Sequence, residues 1–179
     1  MRFYRSLVVL VLLAGCSGID LDTVNPQGMN LNGTWLIDFT ASDPLPDLRN
    51  RDLSLSDKSR PRSVGREAMR IADGSGLAFV AHDFQVLNAD KIVIEQNPDS
   101  MGVRYQPGVY RDVSWGERQR GLWLVTAGWE ERTLVIISEA HDLRVEERFN
   151  RDGDRLVIDV HIDADKQDTK LTRVFNLRR

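Results

Sequence analysis

Side chains that can perform acid–base, nucleophilic or metal chemistry are scattered along this chain of 179 residues. The histidines, His82, His141 and His161, lie far apart, and no spacing typical of a metal motif links them to one another or to carboxylates. Two acidic stretches, DADKQD (163–168) and NRDGDR (150–155), offer fewer oxygens than calcium needs and are typical of solvated turns. Neither a G-x-S-x-G nucleophile motif nor a glycine-rich phosphate loop occurs. The sequence therefore predicts no catalytic residues, no metal or other cofactor, and no enzymatic activity.

Three of the four tryptophans lie in one stretch, SWGERQRGLWLVTAGWEER (114–132). Trp115 and Trp129 adjoin glycines at predicted strand ends, while Trp123 lies inside a predicted strand. Indole rings beside an arginine such as Arg118 can form a stacking platform for a sugar or a lipid head group. We take these four side chains as candidate ligand-binding residues. The alternative is that the indoles fill the core and the arginine is a solvated charge.

The only cysteine, Cys16, directly follows a short apolar segment at the N-terminus. Arg2 and Arg5 precede residues 7–13, which are all Leu or Val, and small residues come next. A basic start, a short apolar core and a small-residue end are the layout of a secretory signal peptide. The apolar run is much shorter than the ~20 residues that a transmembrane helix needs. We therefore predict a signal peptide and not a membrane-spanning helix.

The four residues Leu13-Ala14-Gly15-Cys16 resemble the lipobox of bacterial lipoproteins. The resemblance implies that residues 1–15 are removed, that the Cys16 thiol receives a diacylglyceryl group, and that the new N-terminus is acylated, for example with palmitate. Two or three acyl chains give stable anchoring where one would be marginal. Ser17 stands where aspartate would signal inner-membrane retention, so the resemblance implies the cell outer membrane, with the body of the protein facing the periplasm. The alternative is an ordinary signal peptide followed by a chance cysteine.

The mature chain predicted by this cleavage is mildly acidic and has no free thiol. Residues 1–15 contain two of the 24 basic residues and none of the 27 acidic ones, which leaves a net charge of about −5. A negative balance gives no support for nucleic-acid binding. Because the only thiol is lipidated, no disulfide can form, and stability must come from a hydrophobic core.

The mature chain divides into a tether and one domain. Residues 16–32 have little apolar periodicity and contain Asn, Pro and Gly, so we predict a lipidated tether. The domain is expected over residues 33–179, with a helical insertion at about 60–88. The clearest helix is 77–87, where apolar residues recur at spacings of three and four on one face: Leu77, Val80, Phe84 and Leu87.

Alternation with a period of two predicts strands in the rest of the domain. The segment GTWLIDF (33–39) is the first strand, and the others lie near 91–96, 101–106, 109–114, 120–126, 132–138, 143–149, 155–162 and 170–177. Short turns join them in series, which favours an antiparallel meander, and a long meander tends to close into a barrel. We predict a mainly β fold, a lipocalin-like barrel of about eight strands.

The tripeptide Gly33-Thr34-Trp35 on the first strand resembles the G-x-W signature of lipocalins and their calycin relatives. In that family the tryptophan closes one end of the barrel and an arginine from the last strand packs over it. The resemblance implies that Arg173 or Arg178 takes this place here. The chain departs from the pattern because about fifty residues follow the first strand, and because it ends in a strand where lipocalins carry a helix. The alternative is a tryptophan that anchors a strand in an unrelated β core.

Two neighbouring predicted strands are apolar on both faces, over residues 122–125 and 134–137. A strand of this kind needs cover on both sides. We predict that the helix 77–87 packs on their outer face, with Phe84 and Leu87 against it.

The function predicted from these observations is that of a lipid-anchored envelope lipoprotein. It contacts the membrane through the lipid on Cys16, and its domain is a non-catalytic binding module for a lipid or another amphiphile. The alternative is a structural or assembly partner of another envelope protein, which predicts a filled barrel interior and an exposed apolar patch near residues 121–137.

Overall fold

A computed structural model describes residues 20–45, 80, 83–164 and 167–179. The predicted signal peptide, the lipobox and most of the insertion after the first strand lie outside these residues. None of the helical segments within the described ranges has the length and the hydropathy needed to cross a bilayer.

The described domain is mainly β and consists of one ten-stranded antiparallel sheet. Its strands are β1 Gly33–Ile37, β2 Lys91–Gln96, β3 Ser100–Gln106, β4 Tyr110–Ser114, β5 Gly116–Arg120, β6 Trp123–Glu130, β7 Thr133–Ala140, β8 Leu143–Asp152, β9 Arg155–Ala164 and β10 Gln167–Leu177. The mainly β class and the antiparallel meander are confirmed.

The predicted number of about eight strands is wrong, and β5 explains part of the difference. Its sequence, GERQR, contains no apolar residue, so it shows no hydrophobic alternation. The turn at Gly121, where φ is +58°, separates β5 from β6, whereas the sequence predicted one strand over 120–126. A backbone hydrogen-bond ladder with β6, and not a buried side-chain face, holds β5 in the sheet.

The order of the strands makes the sheet a nearly closed barrel. The order is β4-β3-β2-β1-β10-β9-β8-β7-β6-β5, so the first strand pairs with both β2 and β10. Trp35 faces Ile92 on one side and Leu177 on the other. The two outermost strands, β4 and β5, are joined by Trp115 alone, and no register between them is described. The remaining gap in the barrel is therefore between β4 and β5.

The core is the inside of this barrel, because side chains alternate between its two faces. On β9 the inward residues Ile158, Val160 and Ile162 are buried, while Asp159 and His161 between them point outward. The largest fully buried side chains are Trp35, Trp129, Tyr105, Phe149 and Phe175. Large apolar and aromatic groups therefore occupy the described interior.

Segment 83–90 covers one end of the barrel, which we call the Phe84 end. Val80 and Asp83 are helical, and a short 3-10 helix follows at Gln85–Leu87. The other residues of the predicted helix 77–87, numbers 77–79, 81 and 82, lie outside the described part. The turns β3–β4, β5–β6 and β7–β8 lie at the same end.

The predicted packing of Phe84 on the outer face of the sheet is wrong. The Phe84 ring meets the ring of Trp123 edge to face at 5.1 Å, and it lies 5.3 Å from the guanidinium carbon of Arg111. Both of these partners point into the barrel, because their alternating neighbours Val125 and Val113 belong to the core. Phe84 therefore enters the barrel mouth and does not cover the outer surface.

The described part of segment 16–32, which we predicted as a tether, lies against the opposite end of the barrel. Asp22 and Trp129 exchange two backbone hydrogen bonds, of 2.9 and 2.7 Å. Leu31 is completely buried, and its carbonyl accepts a 3.0 Å hydrogen bond from Trp35 Nε1. We call this the Arg151 end, after the residue that stacks on Trp35.

Candidate functional site: a buried polar cluster inside the barrel

A charged pair spans the barrel interior between two strands that are not neighbours. Arg111 on β4 donates a hydrogen bond from Nη1 to Oε2 of Glu147 on β8, at 2.5 Å. The two side chains are 5% and 0% exposed. Burying such a pair costs several kcal/mol per ion in desolvation, and apolar residues of similar volume are often at least as stabilising. The pair is therefore unusual in an interior that is mostly apolar.

Tyr105 completes the polar contacts of Arg111. It lies two residues beyond Val103, the residue that pairs with Arg111, so the two side chains are diagonal neighbours on the inner face. The Tyr105 side chain and the guanidinium of Arg111 interact electrostatically. Burial, reinforced by the negative charge of Glu147, raises the pKa of Tyr105 to about 12. Tyr105 is therefore neutral in the folded protein up to strongly alkaline pH.

Arg111 stays charged although it is buried. Burial by itself acts to lower the pKa of Arg111, but the charge and hydrogen bond of Glu147, together with the interaction with Tyr105, outweigh it and raise this pKa. The cluster thus holds one positive charge, one negative charge and a neutral phenol.

Two polar atoms beside this pair have no partner within the described part of the chain. They are Ser138 Oγ on β7 and Glu147 Oε1, and both are buried. Ser138 pairs with Val145, two residues before Glu147, so the two side chains are diagonal neighbours on the inner face. An unsatisfied buried polar atom costs about 1–3 kcal/mol. These two atoms are positions where a bound molecule would gain hydrogen bonds.

Aromatic residues separate the cluster from the solvent at the Phe84 end. Phe84 lies between Arg111 and Trp123, and the indole nitrogen of Trp123 donates a 2.8 Å hydrogen bond to Asp83 Oδ2. Arg120 lies on the exposed rim beside them. Partial burial, together with the positive charge of Arg111, lowers the pKa of Arg120.

The candidate residues from the tryptophan-rich stretch lie at both ends of the barrel. The rings of Trp115 and Trp129 meet edge to face at 5.8 Å at the Arg151 end. Their indole nitrogens donate to Pro98 O (2.8 Å) and Asn25 Oδ1 (2.9 Å). Trp123 is six residues from Trp129 along β6, a distance of about 20 Å. The structure therefore brings two of the three indoles together and places the third beside the polar cluster.

Arg118 is exposed on β5 and pairs across the ladder with Val125. Arg118 is two residues before Arg120 and lies in the middle of β5. Of the four candidate residues, only Trp123 has a described contact with a neighbour of the buried pair, namely Phe84.

The arginine that packs over Trp35 comes from β8, so the choice between Arg173 and Arg178 is wrong. The guanidinium carbon of Arg151 lies 5.1 Å from the centroid of the Trp35 ring. Arg178 is exposed at the C-terminus, and Arg173 donates from Nη1 to the carbonyl of Asp43 at 3.1 Å. The reason is the register, because the end of β8 and the start of β1 meet at the same end of the barrel.

Arg173 is a second buried cation inside the sheet, on the β10 side. Burial lowers its pKa, and the nearby negative charges of Asp90 and Asp43 oppose this effect. Its Nε has no hydrogen-bond partner among the described residues. The carboxylates that act on Arg173 are Asp90 and Asp43, and not Glu147. Arg173 is therefore separate from the Arg111–Glu147 pair.

Two concavities of similar size lie outside the barrel interior. One, of about 360 Å³, is formed by outward side chains of β8–β10, among them Arg148, Asp159 and Lys170. The other, of about 350 Å³, lies at the Arg151 end beside Gly28 and Arg132. Among the residues that the structure describes, no group of three His, Cys, Asp or Glu side chains is placed to hold a metal ion.

The sequence analysis missed Arg111, Glu147, Tyr105 and Ser138 as site residues, although one signal for Glu147 was present. In the segment VEERF the apolar Val145 and Phe149 predict the inward face, and this places Glu147 between them on the same face. A charged residue at an inward position needs a partner. The strand pattern alone does not say that the partner is Arg111.

The chain is similar in fold to several solved structures. A luciferase domain from the dinoflagellate Lingulodinium polyedrum matches 90% of this chain and 46% of its own length, with a TM-score of 0.52 and 13% identity. Human cRBP IV matches 83% of this chain and 98% of its own, with a TM-score of 0.47 and 18% identity. The wild-type fluorescent protein UnaG matches 83% and 97%, with a TM-score of 0.49 and 14% identity.

No protein-family model matches the chain, and no curated protein sequence matches it either. At these identities the similarity to solved structures concerns the fold alone. The coarser part of the fold prediction is confirmed by the structure itself: the domain is a nearly closed antiparallel barrel.

Proposed function

We propose that this protein is a non-catalytic binding module that holds one lipid or other amphiphile inside its barrel. The lipid attached to Cys16 anchors it to the outer membrane, and the barrel faces the periplasm. The observation that carries the proposal is the buried polar cluster of Tyr105, Arg111, Ser138 and Glu147. A domain that served only as a packed scaffold would gain more from apolar side chains at these positions.

The surroundings of the cluster match the two parts of an amphiphile. Ser138 and Glu147 offer unsatisfied polar atoms, while the neighbouring inward residues Ile136, Val145 and Phe149 are apolar and buried. The polar end of an amphiphile would form hydrogen bonds with Ser138 and Glu147. Its alkyl tail would pack against the apolar inward residues. Ligand pockets commonly combine an apolar lining with a few such polar groups.

A ligand must enter by displacing side chains, because large groups occupy the interior. Phe84 is the natural candidate, since it lies at the barrel mouth and belongs to a short segment instead of the sheet. Its movement would expose Arg111 and Trp123 together. Entry at the Phe84 end would therefore change the surroundings of the Trp123 indole. Its fluorescence would report ligand binding.

Native mass spectrometry tests the proposal. The full chain carrying Cys16→Ala is stripped of lipid by unfolding and refolding, and spectra are recorded with and without an envelope lipid extract. We expect one added lipid per chain. Ser138→Phe places a ring beside the cluster and should abolish this adduct. Glu139→Phe, on the exposed outer face of the same strand, is the matched control and should retain it. If the protein that carries Cys16→Ala alone shows no lipid adduct, the proposed binding function is refuted.

A second function, docking to another envelope protein, is favoured by the occupied barrel interior, which this function predicts, and by a further observation. Three large apolar side chains are exposed at the Phe84 end: Val109 (62%), Tyr110 (52%) and Leu122 (70%). Leu122 belongs to the stretch where the sequence predicted an exposed apolar patch. A photo-crosslinking residue at position 122 should give one discrete adduct in intact cells if this function applies. The same residue at Leu36, which is exposed on β1, is the control position.

A further inference from the structure

We infer that the buried polar cluster selects amphiphiles whose polar end is uncharged and donates hydrogen bonds, such as a primary amide or an alcohol, over those that end in a carboxylate. This inference rests on the binding function proposed above and names the class of ligand for the same site. It follows from the charge balance of the cluster and from which of its atoms are unsatisfied.

The first argument is that the positive charge of the cluster is already neutralised. Arg111 and Glu147 form a hydrogen-bonded ion pair inside the barrel. Tyr105, the third member, is neutral because its pKa is raised to about 12. A second carboxylate in this volume would face Glu147, and the buried cation of the cluster, Arg111, is already paired. Like charges at short range in a poorly solvated site repel strongly.

The other two arginines near the barrel interior do not supply the missing cation. Arg120 shares the inner face of the sheet with its ladder partner Trp123 and lies within electrostatic reach of Arg111 and Glu147, but its side chain is exposed at the rim, so water screens its charge. Arg173 is on the β10 side, where the negative charges of Asp90 and Asp43 act on it. Among the described residues, neither arginine forms a hydrogen bond or an ion pair with Glu147 or Ser138.

The second argument is the hydrogen-bonding capacity of the two unsatisfied atoms. Glu147 Oε1 can only accept a hydrogen bond, while the Ser138 hydroxyl can donate and accept. A primary amide supplies an N–H for Glu147 and a carbonyl for Ser138, and an alcohol supplies a donor and an acceptor in one group. A carboxylate supplies acceptors alone, so it leaves Glu147 Oε1 unsatisfied.

A cationic head group fits less well for a related reason. An ammonium would donate to Glu147, but Glu147 already balances Arg111, so a second cation would be buried in excess. Uncompensated buried charge is expensive. The cluster therefore favours a neutral head over either kind of ion.

Four probes with the same twelve-carbon chain test this inference in the full chain carrying Cys16→Ala. They are lauramide, 1-dodecanol, laurate and dodecylamine, titrated at pH 8 while tryptophan emission is recorded. We expect lauramide and 1-dodecanol to bind at least about tenfold more tightly than laurate, a difference equivalent to one lost hydrogen bond to a charged group. Laurate or dodecylamine binding as tightly as lauramide would overturn the inference while the proposed function stands. If neither the probes nor the envelope lipid extract binds, the proposed function itself fails.

Two variants test the assigned atoms. Ser138→Ala removes the hydroxyl and little volume, and it should weaken lauramide several-fold, because the amide carbonyl loses its donor. Glu147→Gln leaves Arg111 unbalanced, so it should reverse the ranking and make laurate the tightest of the four.

Glu117→Gln, on the exposed outer face of β5, removes the same charge away from the cluster and should leave the ranking intact. If Glu147→Gln does not fold, the wild-type ranking and Ser138→Ala decide the question. An unchanged lauramide affinity in Ser138→Ala would overturn the assignment.

Discussion

Arg151 stacks on the indole of Trp35, with its guanidinium carbon 5.1 Å from the ring centroid. The same guanidinium donates to the carbonyl oxygens of Gly153 and Asn30. It thereby joins the β8–β9 turn to the segment that precedes β1. The arrangement closes the Arg151 end of the barrel.

Replacing this arginine should destabilise the domain. We expect Arg151→Met to lower the free energy of unfolding by about 1–2 kcal/mol, from the lost cation–π contact and the lost hydrogen bonds. Arg178→Met is the matched control and should change the free energy by less than about 0.5 kcal/mol, because Arg178 is exposed. Urea unfolding followed by tryptophan fluorescence measures both. Equal effects would contradict the assigned role.

Removing Phe84 should cost more, because it is buried at the barrel mouth against Trp123 and Arg111. We expect Phe84→Ala to lower the free energy of unfolding by about 3 kcal/mol. Phe39→Ala serves as the control, since Phe39 is 68% exposed and should contribute little. The native emission of Trp123 should shift to longer wavelength in Phe84→Ala. An unshifted spectrum with full stability would show that Phe84 does not cover the cluster.

Tyr105 should make the domain sensitive to alkali. Its pKa is raised from 10.0 to about 12, first by burial and then by the charge of Glu147. Because this pKa is higher in the folded state than in the unfolded state, the contribution of Tyr105 to stability is complete below pH 10. It is lost as the pH rises from 10 to 12. Two pKa units correspond to on the order of 2–3 kcal/mol.

Tyr105→Phe should remove this alkaline loss, although it also removes the buried hydroxyl that interacts with Arg111 and lowers stability at neutral pH by about 1 kcal/mol. Unfolding free energies at pH 8, 10 and 11 for the two proteins make the comparison. A parallel decline in both would mean that another group causes the alkaline loss.

Asp38 should act at the opposite end of the pH scale. The hydrogen bond from the Thr40 hydroxyl, followed by those from Ala41 N and Asn176, lowers the pKa of Asp38 below its usual 3.8. A lowered folded-state pKa gives stability that is present above about pH 4 and is lost as the pH falls below it. Asp38→Asn should therefore flatten the decline in melting temperature between pH 5 and pH 2.5. Thr40→Val should flatten it partly, and an identical slope in all three proteins would refute the role of Asp38.

Cys16 should determine where the protein is found and not how it folds. We expect Cys16→Ala to move from the membrane fraction to the soluble fraction with an unchanged circular dichroism spectrum. Ser17→Asp is the companion variant: it keeps the thiol, so it should remain in the membrane fraction but shift toward the inner membrane in an enteric host. A Cys16→Ala protein that still sediments with membranes would contradict the lipobox interpretation.

Much of the sheet was predictable from the sequence, because each strand carries its own periodicity. The prediction 91–96 coincides with β2, and the inward residues of β9 follow from simple alternation. The strand β5 was not predictable in this way, since all five of its residues are Gly or polar. Backbone pairing with β6 sets its conformation, and a hydrophobicity pattern does not report backbone pairing.

The site required information that no local pattern contains. Arg111 and Glu147 are 36 residues apart and lie on strands separated by five others in the sheet. The inward position of each follows from its neighbours, but their contact depends on the curvature that brings β4 across from β8. The same reason explains why Arg151 and not Arg173 packs on Trp35.

The sequence by itself determined the mainly β class, the antiparallel meander and the inward or outward direction of most strand residues, because alternation with a period of two is a local property of the chain. It also supplied the prediction of a lipid anchor at Cys16. Only the tertiary structure decided which inward polar groups meet, which arginine covers Trp35, and on which face Phe84 packs. These contacts arise from barrel closure, because the curvature of the sheet brings together residues that are distant in the sequence and lie on strands that do not pair.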